Sequence, residues 1–223
     1  MLPTSSSSRQ VKSVRTAFRI VEFLQDMDGA TMNRLATQLD LAKSTVHNYL
    51  GTLQSLGYVV KRDGTYRLGL RFLTHGMAAK SGLGLRDAVT HVLTDVAMEI
   101  DQPVWWIVEE LGRGIFVATA APDSDDQVYG RVGKRSFLHT HAPGKAILAN
   151  LSAEYVDEII AYHGLPTYTS RTITDPDTLR EQLTTISKQG HAISDGEAAL
   201  GVRSVGVAFE GPYDYTHGLG VFG

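Results

Sequence analysis

Between Val46 and Leu68 the sequence changes period, and that change limits the possible folds more than any other feature of the chain. Val46, Leu50 and Leu53 keep the three-and-four spacing of one helix stripe. Gly57 closes the helix, because glycine enters the left-handed conformation without steric penalty. Beyond it, Tyr58-Val59-Val60 and Thr65-Tyr66-Arg67-Leu68 are short β-rich runs flanking Lys61-Arg62-Asp63-Gly64. Asp-Gly between such runs is a strong hairpin signal. A helix that hands over directly to a tight hairpin commits this part of the chain to a small mixed α and β unit.

Two more helices precede it. Val14, Ala17, Phe18, Val21 and Leu24 recur at i, i+3, i+4, i+7 and i+10, with Ser13 as a plausible N-cap. Asp28-Gly29 breaks the chain, and Thr31 caps a second helix carrying Met32, Leu35, Ala36 and Leu39 on one face. A short turn at Asp40-Leu41 leads to the third helix, which runs to about Ser55. With Val46 at the centre of the buried face, Ser44, Asn48, Gly51 and Ser55 fall opposite it, and Thr45 and His47 on the flanks. Exposed helix faces usually carry Glu, Lys and Arg. Short hydrogen-bonding side chains suit close approach to base edges instead, since Asn pairs with adenine in two places and Ser or Thr contacts several bases. Gly51 lets a backbone come near. Ala42, at the helix start, cannot cap, so the first-turn N–H groups lack a side-chain acceptor worth about 1 kcal/mol; with Lys43 beside them, they suit a DNA phosphate. The helices alone are also compatible with a purely structural bundle. A ribbon tipped with Lys61 and Arg62 turns them into a winged helix, whose third helix reads sequence while the wing grips phosphate or the minor groove.

Charge supports this division. Residues 9–75 hold ten Lys/Arg against five Asp/Glu, or +5, whereas the remainder holds 11 against 19, or −8. A basic N-terminal third on an acidic body suits a polyanion at one end. The chain has no cysteine, which excludes disulfides and thiolate metal sites and fits a reducing compartment. No apolar leader or membrane-spanning run is present, so the expectation is a cytoplasmic protein whose residues 1–10 form a flexible Ser-rich arm.

The C-terminal two-thirds read as mixed α and β. Leu85, Ala88, Val89, Val92, Leu93, Val96, Ala97 and Ile100 form a helix stripe too broad to leave in water. Val104 to Glu109 and Ile115 to Ala120 read as a strand pair separated by Leu111-Gly112-Arg113-Gly114. Short helices follow: one from about Pro143 to Asn150, one capped by Ser152 with a Leu151 to Val156 staple, and one with Asp175 as cap, Pro176 in its first turn and Gly190 beyond its end. Val205 to Phe209 and Leu219 to Phe222 read as two buried strands. Among residues with catalytic chemistry, His139 and His141 would project from one side of a strand, but no third metal ligand has a recognisable spacing. Gly144-Lys145 lacks the companions of a phosphate loop, and no Ser sits in a nucleophile motif. No catalytic residue, metal or cofactor is therefore assigned. An enzyme with a helical accessory domain is the alternative, to be favoured by turnover without salt-sensitive DNA binding; a protein-binding adaptor, favoured by binding that survives high salt, is disfavoured by the +5 head.

ATMNRLATQLDLAKSTVHNYLGTLQSLGYVVKRDGTYRLG (residues 30–69), LHTHAPGKAILANL (138–151) and QGHAISDGEAALGVRSVGVAF (189–209) resemble the IclR family of bacterial and archaeal transcriptional regulators, with motifs in register in both halves. The resemblance implies a winged helix-turn-helix domain over 11–69, a linker helix over 70–82 and a GAF-like α/β effector-binding domain over 83–223. It implies double-stranded operator DNA and a small organic acid as partners, and a homodimer or dimer of dimers. DNA contacts would come from Lys43, Ser44, Thr45, His47, Asn48 and Tyr49 and from Lys61 and Arg62 of the wing. Effector contacts would come from Thr140, Ala142, Pro143, Ser194, Asp195, Ser204, Gly220 and Phe222. The family favours an acid where Ser194 stands, and some members carry small hydroxyl residues in place of Gly220 and Phe222, so an aromatic or bulkier acid fits at least as well as a pyruvate-like one. The chain ends at LGVFG, where relatives usually continue with a proline and a closing helix; the expectation is a shortened or altered C-terminus.

Overall fold

The computed structural model describes residues 2, 10–122 and 129–223, leaving most of the Ser-rich arm outside the described residues. The chain divides into two compact units between Gly82 and Leu83. In the smaller, α1 (Lys12–Asp26), β1 (Ala30–Thr31), α2 (Met32–Leu39) and α3 (Lys43–Ser55) precede the hairpin strands β2 (Val59–Arg62) and β3 (Thr65–Leu68). The strands are antiparallel in the order β1-β3-β2. Asp63 (φ 48°) and Gly64 (φ 79°) make the two-residue turn, both left-handed, the geometry that matches strand twist. Thr31 caps α2 as expected, accepting from the Arg34 N–H at 3.3 Å. Ser13 does not cap α1, which begins one residue earlier, after an uncapped Val11. The buried face of α1 also differs from the expected stripe. Ile20, Val21 and Leu24 enter the core with Leu35, Val46, Leu50 and Val59, whereas Val14 and Phe18 are 53% and 56% exposed.

Helix α4 (Arg71–Ser81) has no buried residue, yet its start is fixed to the hairpin. The Tyr58 hydroxyl and His75 Nε2 lie 2.6 Å apart, and the Arg71 guanidinium lies over the Tyr58 ring while donating to the Leu56 carbonyl. Gly69 passes so close to Gly57 that an added Cβ would stand 2.4 Å from its carbonyl oxygen. Glycine is needed there for space rather than for backbone angle.

The larger unit contains α5 (Arg86–Ile100), β4 (Val104–Glu110), β5 (Arg113–Ala120), β6 (Arg135–Phe137), α6 (Ala142–Asn150), α7 (Ala153–His163), α8 (Pro176–Gln189), β7 (Ala192–Asp195), β8 (Arg203–Glu210) and β9 (Thr216–Phe222). Its sheet is six-stranded and antiparallel in the order β6-β5-β4-β9-β8-β7. Strand β4, central and covered on both faces, sends Val104, Trp106 and Val108 towards α5. It sends Trp105 and Ile107 towards α6, α7 and α8. The β4–β5 turn is shorter than expected, only Leu111-Gly112, because both adopt left-handed angles that close a two-residue hairpin.

Three further expectations change. Only Val89, Leu93 and Ala97 of the broad α5 stripe are buried; Val92 and Ile100 face solvent. Strand β8 is half-buried rather than buried, its alternate residues Val205 and Val207 being 50% and 42% exposed. His139 and His141 do not share a strand face, because Leu138–Thr140 is a 3-10 turn that sends the two rings apart. Helix caps at Ser152 and Asp175, and the left-handed Gly190, match the sequence reading. His141 was not anticipated as a cap: its Nδ1 accepts the Gly144 N–H at 3.0 Å and starts α6 one residue ahead of Pro143.

Candidate functional site

Helix α3 presents two unlike sides. Val46 and Leu50 anchor it in the core, and Tyr49, half-buried, packs against that same core. Lys43, Ser44, His47, Asn48, Gly51, Thr52 and Ser55 are exposed, and Thr45 is half-exposed. Thr52 and Ser55 spend their hydroxyls on the helix itself, donating to the Asn48 and Thr52 carbonyls at 2.9 and 2.8 Å. The side chains of Ser44, Thr45, His47 and Asn48 have no intramolecular hydrogen bond among the described residues. The first turn is uncapped at Ala42. On the wing, the Lys61 ammonium sits 5.1 Å from the Tyr66 ring centroid, and Arg62 is exposed at the turn. Among the described residues, the arrangement offers unpaired side-chain donors and acceptors on one helix face, and exposed cations on a separate ribbon in the same unit.

The residues implied for effector binding are mostly brought together, beneath the α6 face of the sheet. Ser204 Oγ accepts the Ala142 N–H at 3.0 Å, Thr140 donates to the Phe137 carbonyl at 2.8 Å, and Ser194 Oγ reaches the Thr140 carbonyl at 3.5 Å. Pro143 lies flat on Gly220, where an added Cβ would stand 2.5 Å from its ring. Phe222 packs against Phe116, His141 and Tyr129, the last stacked at 4.7 Å. Asp195 is the exception. Alternation along β7 turns it to the other face, where it pairs with Arg171 at 2.7 Å and Arg203 at 3.2 Å and is held below the usual carboxylate range chiefly by Arg203. Trp105, Phe116, Tyr129, Lys134 and His141, all part of this aromatic neighbourhood, were not singled out for it from the sequence. The near-continuous apolar run of β4 was the available signal, but it does not tell which face Trp105 joins.

Two arrangements could pass for catalytic centres. Ser136 Oγ lies 2.7 Å from His141 Nε2. Burial pushes His141 down to about 3, so the ring is neutral, and Nδ1 already accepts from Gly144. The ring proton must then sit on Nε2 and point at Ser136, whose hydroxyl in turn donates a hydrogen bond to the Gly114 carbonyl at 3.2 Å. A nucleophilic serine needs the opposite direction of donation. Lys145 and Glu197 form a fully buried ion pair at 2.7 Å. Thr172 bonds the Glu197 carbonyl at 2.7 Å and Thr169 the Gly196 carbonyl at 2.6 Å, so the pair ties the β7–β8 connection to α6. Among the described residues, no group of three or more His, Cys, Asp or Glu is placed to hold a metal ion, and no helix is long and apolar enough to cross a membrane.

Comparison with known proteins accounts for both units. The IclR helix-turn-helix domain matches residues 13–63, and the C-terminal domain of the bacterial transcriptional regulator IclR matches residues 77–216. A probable HTH-type transcriptional regulator, ArcR of Halobacterium salinarum, is 33% identical over 207 residues, covering 91% of this chain and 79% of its own. The transcriptional repressor IclR of Escherichia coli is 28% identical over 205 residues, covering 90% and 75%. Among solved structures, an IclR regulator from Alicyclobacillus acidocaldarius has a TM-score of 0.81 at 23% identity, over 96% of this chain and 88% of that one. An IclR homolog from Microbacterium hydrocarbonoxydans, complexed with 4-hydroxybenzoate, has a TM-score of 0.80 at 21% identity, over 94% and 88%.

Proposed function

The chain belongs to the IclR family of transcriptional regulators, and from that membership we propose that it reads operator DNA with α3, grips the backbone with the β2–β3 wing, and answers to a small organic acid held in the larger unit. It is a DNA-binding regulator and not an enzyme. The observation that carries the assignment of residues is the unpaired polar face of Ser44, Thr45, His47 and Asn48 on a helix otherwise anchored in the core. Lys43, Lys61 and Arg62 supply phosphate contacts beside it. Tyr49, half-buried, supports the helix and reaches DNA only with its edge. Action on operator DNA supports a cytoplasmic location in this reading.

The effector reading is supported by the cluster of Thr140, Ala142, Pro143, Ser194, Ser204, Gly220 and Phe222, and by the acid bound to the Microbacterium homolog. An effector changes operator affinity only if it binds one arrangement of the protein more tightly than another; α4, joining the winged helix to the effector-binding domain, is the lever in this reading.

Assembly as a homodimer gives two reading helices for half-sites about one helical turn apart, or multiples of it. Support comes from exposed apolar stripes on the smaller unit, Val11, Val14 and Phe18 along α1 and Leu70, Leu73 and Met77 along α4. A separate exposed set on the larger unit, Ile193, Val205 and Val207, suits pairing of dimers.

The test is a duplex enriched from a random library by the full chain. Titrated into the labelled protein, it should perturb the backbone amides of residues 43–48 and 61–64, with affinity falling steeply as salt rises. Unperturbed amides in those segments overturn the assignment.

A further inference from the structure

Two hydrogen-bond donors of the larger unit share one aromatic neighbourhood in which, among the described residues, neither has an acceptor. Trp105 is buried on the α6 face of β4, and among the described residues its indole Nε1–H has no partner. Buried polar groups left unpaired are rare, and each calls for an explanation, a bound water, ion or ligand among them. Lys134, half-buried, holds its ammonium 4.0 Å from the Tyr129 ring centroid and 5.1 Å from that of Phe116, with no carboxylate in ion-pair range among the described residues. Phe116 links the two donors, packing edge-on against Trp105 at 5.1 Å. Gly130, next to Tyr129, lies against the Trp105 ring, where an added Cβ would stand 3.4 Å from Cζ2, beside the indole nitrogen's edge. Phe222 completes the surround, stacked on Tyr129 at 4.7 Å and 21°.

We propose that Trp105 Nε1 and Lys134 Nζ hold the carboxylate of an aromatic acid whose ring lies among Phe116, Tyr129 and Phe222, an assignment that rests on the effector-binding reading of the larger unit and specifies its ligand class. An indole N–H and an ammonium only donate, so the complementary group is one that only accepts, which a carboxylate does. A cationic ligand is disfavoured because Lys134 already occupies the ring faces that would receive it. A small keto acid is disfavoured because the hydroxyls that would bind it are engaged within the protein, Ser204 with the Ala142 N–H and Ser194 with the Thr140 carbonyl. Admitting a ring lifts Tyr129 from Phe222, and the lost stack is replaced by one on each side of the ligand.

The probes are benzoate and 3-phenylpropionate, set against cyclohexanecarboxylate and pyruvate, on the full chain. The aromatic acids should shift the Trp105 indole N–H resonance, identified by its loss in Trp105→Phe, and leave that of Trp106 in place. Calorimetry should show Lys134→Met losing about tenfold or more of benzoate affinity, as expected of a charge-assisted hydrogen bond, and Lys134→Arg retaining most of it. Thermal unfolding should be unchanged in both variants. Equal benzoate affinity in Lys134→Met, an unmoved Trp105 resonance, or cyclohexanecarboxylate binding as tightly as benzoate overturns the assignment. If pyruvate binds and alters operator affinity while the aromatic acids do neither, effector control stands and the aromatic-acid assignment falls. If no acid of the set binds or alters operator affinity, both fall.

Discussion

Asn48 and Lys61 differ in what they can distinguish. An exposed amide with no side-chain partner among the described residues can pair with a base edge in two places, whereas an ammonium on a hairpin meets phosphates that every sequence shares. Asn48→Ala should therefore cost about 1–3 kcal/mol on the enriched operator and little on random duplex, measured by fluorescence anisotropy. Lys61→Ala should weaken both and reduce the slope of log affinity against log salt by about 1. His141 yields a prediction on stability. Its folded pKa of about 3 lies below the unfolded value of about 6.5, so the unfolded chain takes up the proton first as pH falls. The contribution is complete above about pH 6.5 and is lost progressively towards about pH 3. Asn at this position can still cap α6 by accepting from Gly144 but does not titrate. Between pH 7 and 4.5 the parent should lose about 2–3 kcal/mol more folding stability than His141→Asn, read from urea unfolding at each pH. At this scale the sequence was legible where chemistry is local. Thr31, Ser152 and Asp175 cap their helices because the acceptor and the N–H it serves are three residues apart. His141 escaped notice because histidine seldom caps and its second nitrogen finds Ser136 only once β6 is in place.

Helix α3 carries a glycine in its exposed face with open space around it; an added Cβ at Gly51 meets nothing within 4 Å. Gly51→Ala should thus stabilise the smaller unit by about 0.5–1 kcal/mol, since alanine is the better helix former and restricts the unfolded chain. If a DNA backbone or base edge comes close at that turn, the same methyl should reduce operator affinity. Thermal unfolding and DNA titration of the one variant should then move in opposite directions. Helical periods located α1, α2, α3 and α5, caps located α7 and α8, and Asp63-Gly64 located the wing, because each depends on neighbours in sequence; the linker helix α4 came from the family resemblance. The widths of the buried stripes were overestimated on α1 and α5. Periodicity reports which residues avoid water, and Phe18, Val92 and Ile100 show that an apolar face need not be buried within its own chain.

At the scale of the whole molecule, sheet order was the least legible property. Strand β9 inserts between β4 and β8, joining segments at opposite ends of the larger unit through contacts that no short window of sequence contains. The effector cluster depends on that insertion, which brings Gly220 and Phe222 beneath α6; family resemblance pointed to its members, whereas residue spacing and periodicity did not. Assembly belongs to this scale too. If the α1 and α4 stripes are buried between copies, Phe18→Glu combined with Leu73→Glu should convert the protein to monomers in light scattering, with both units still folded by circular dichroism. Unchanged mass would show that these stripes are not the dimer contact. The neighbouring residues Trp105 and Trp106, the chain's two tryptophans, project from opposite faces of β4. The protein thereby carries a pair of intrinsic fluorophores separated by a sheet: Trp105→Phe leaves emission that follows the α5 layer, and Trp106→Phe leaves emission that follows the α6 layer, so one spectrometer can time events on either side of the domain without an added dye.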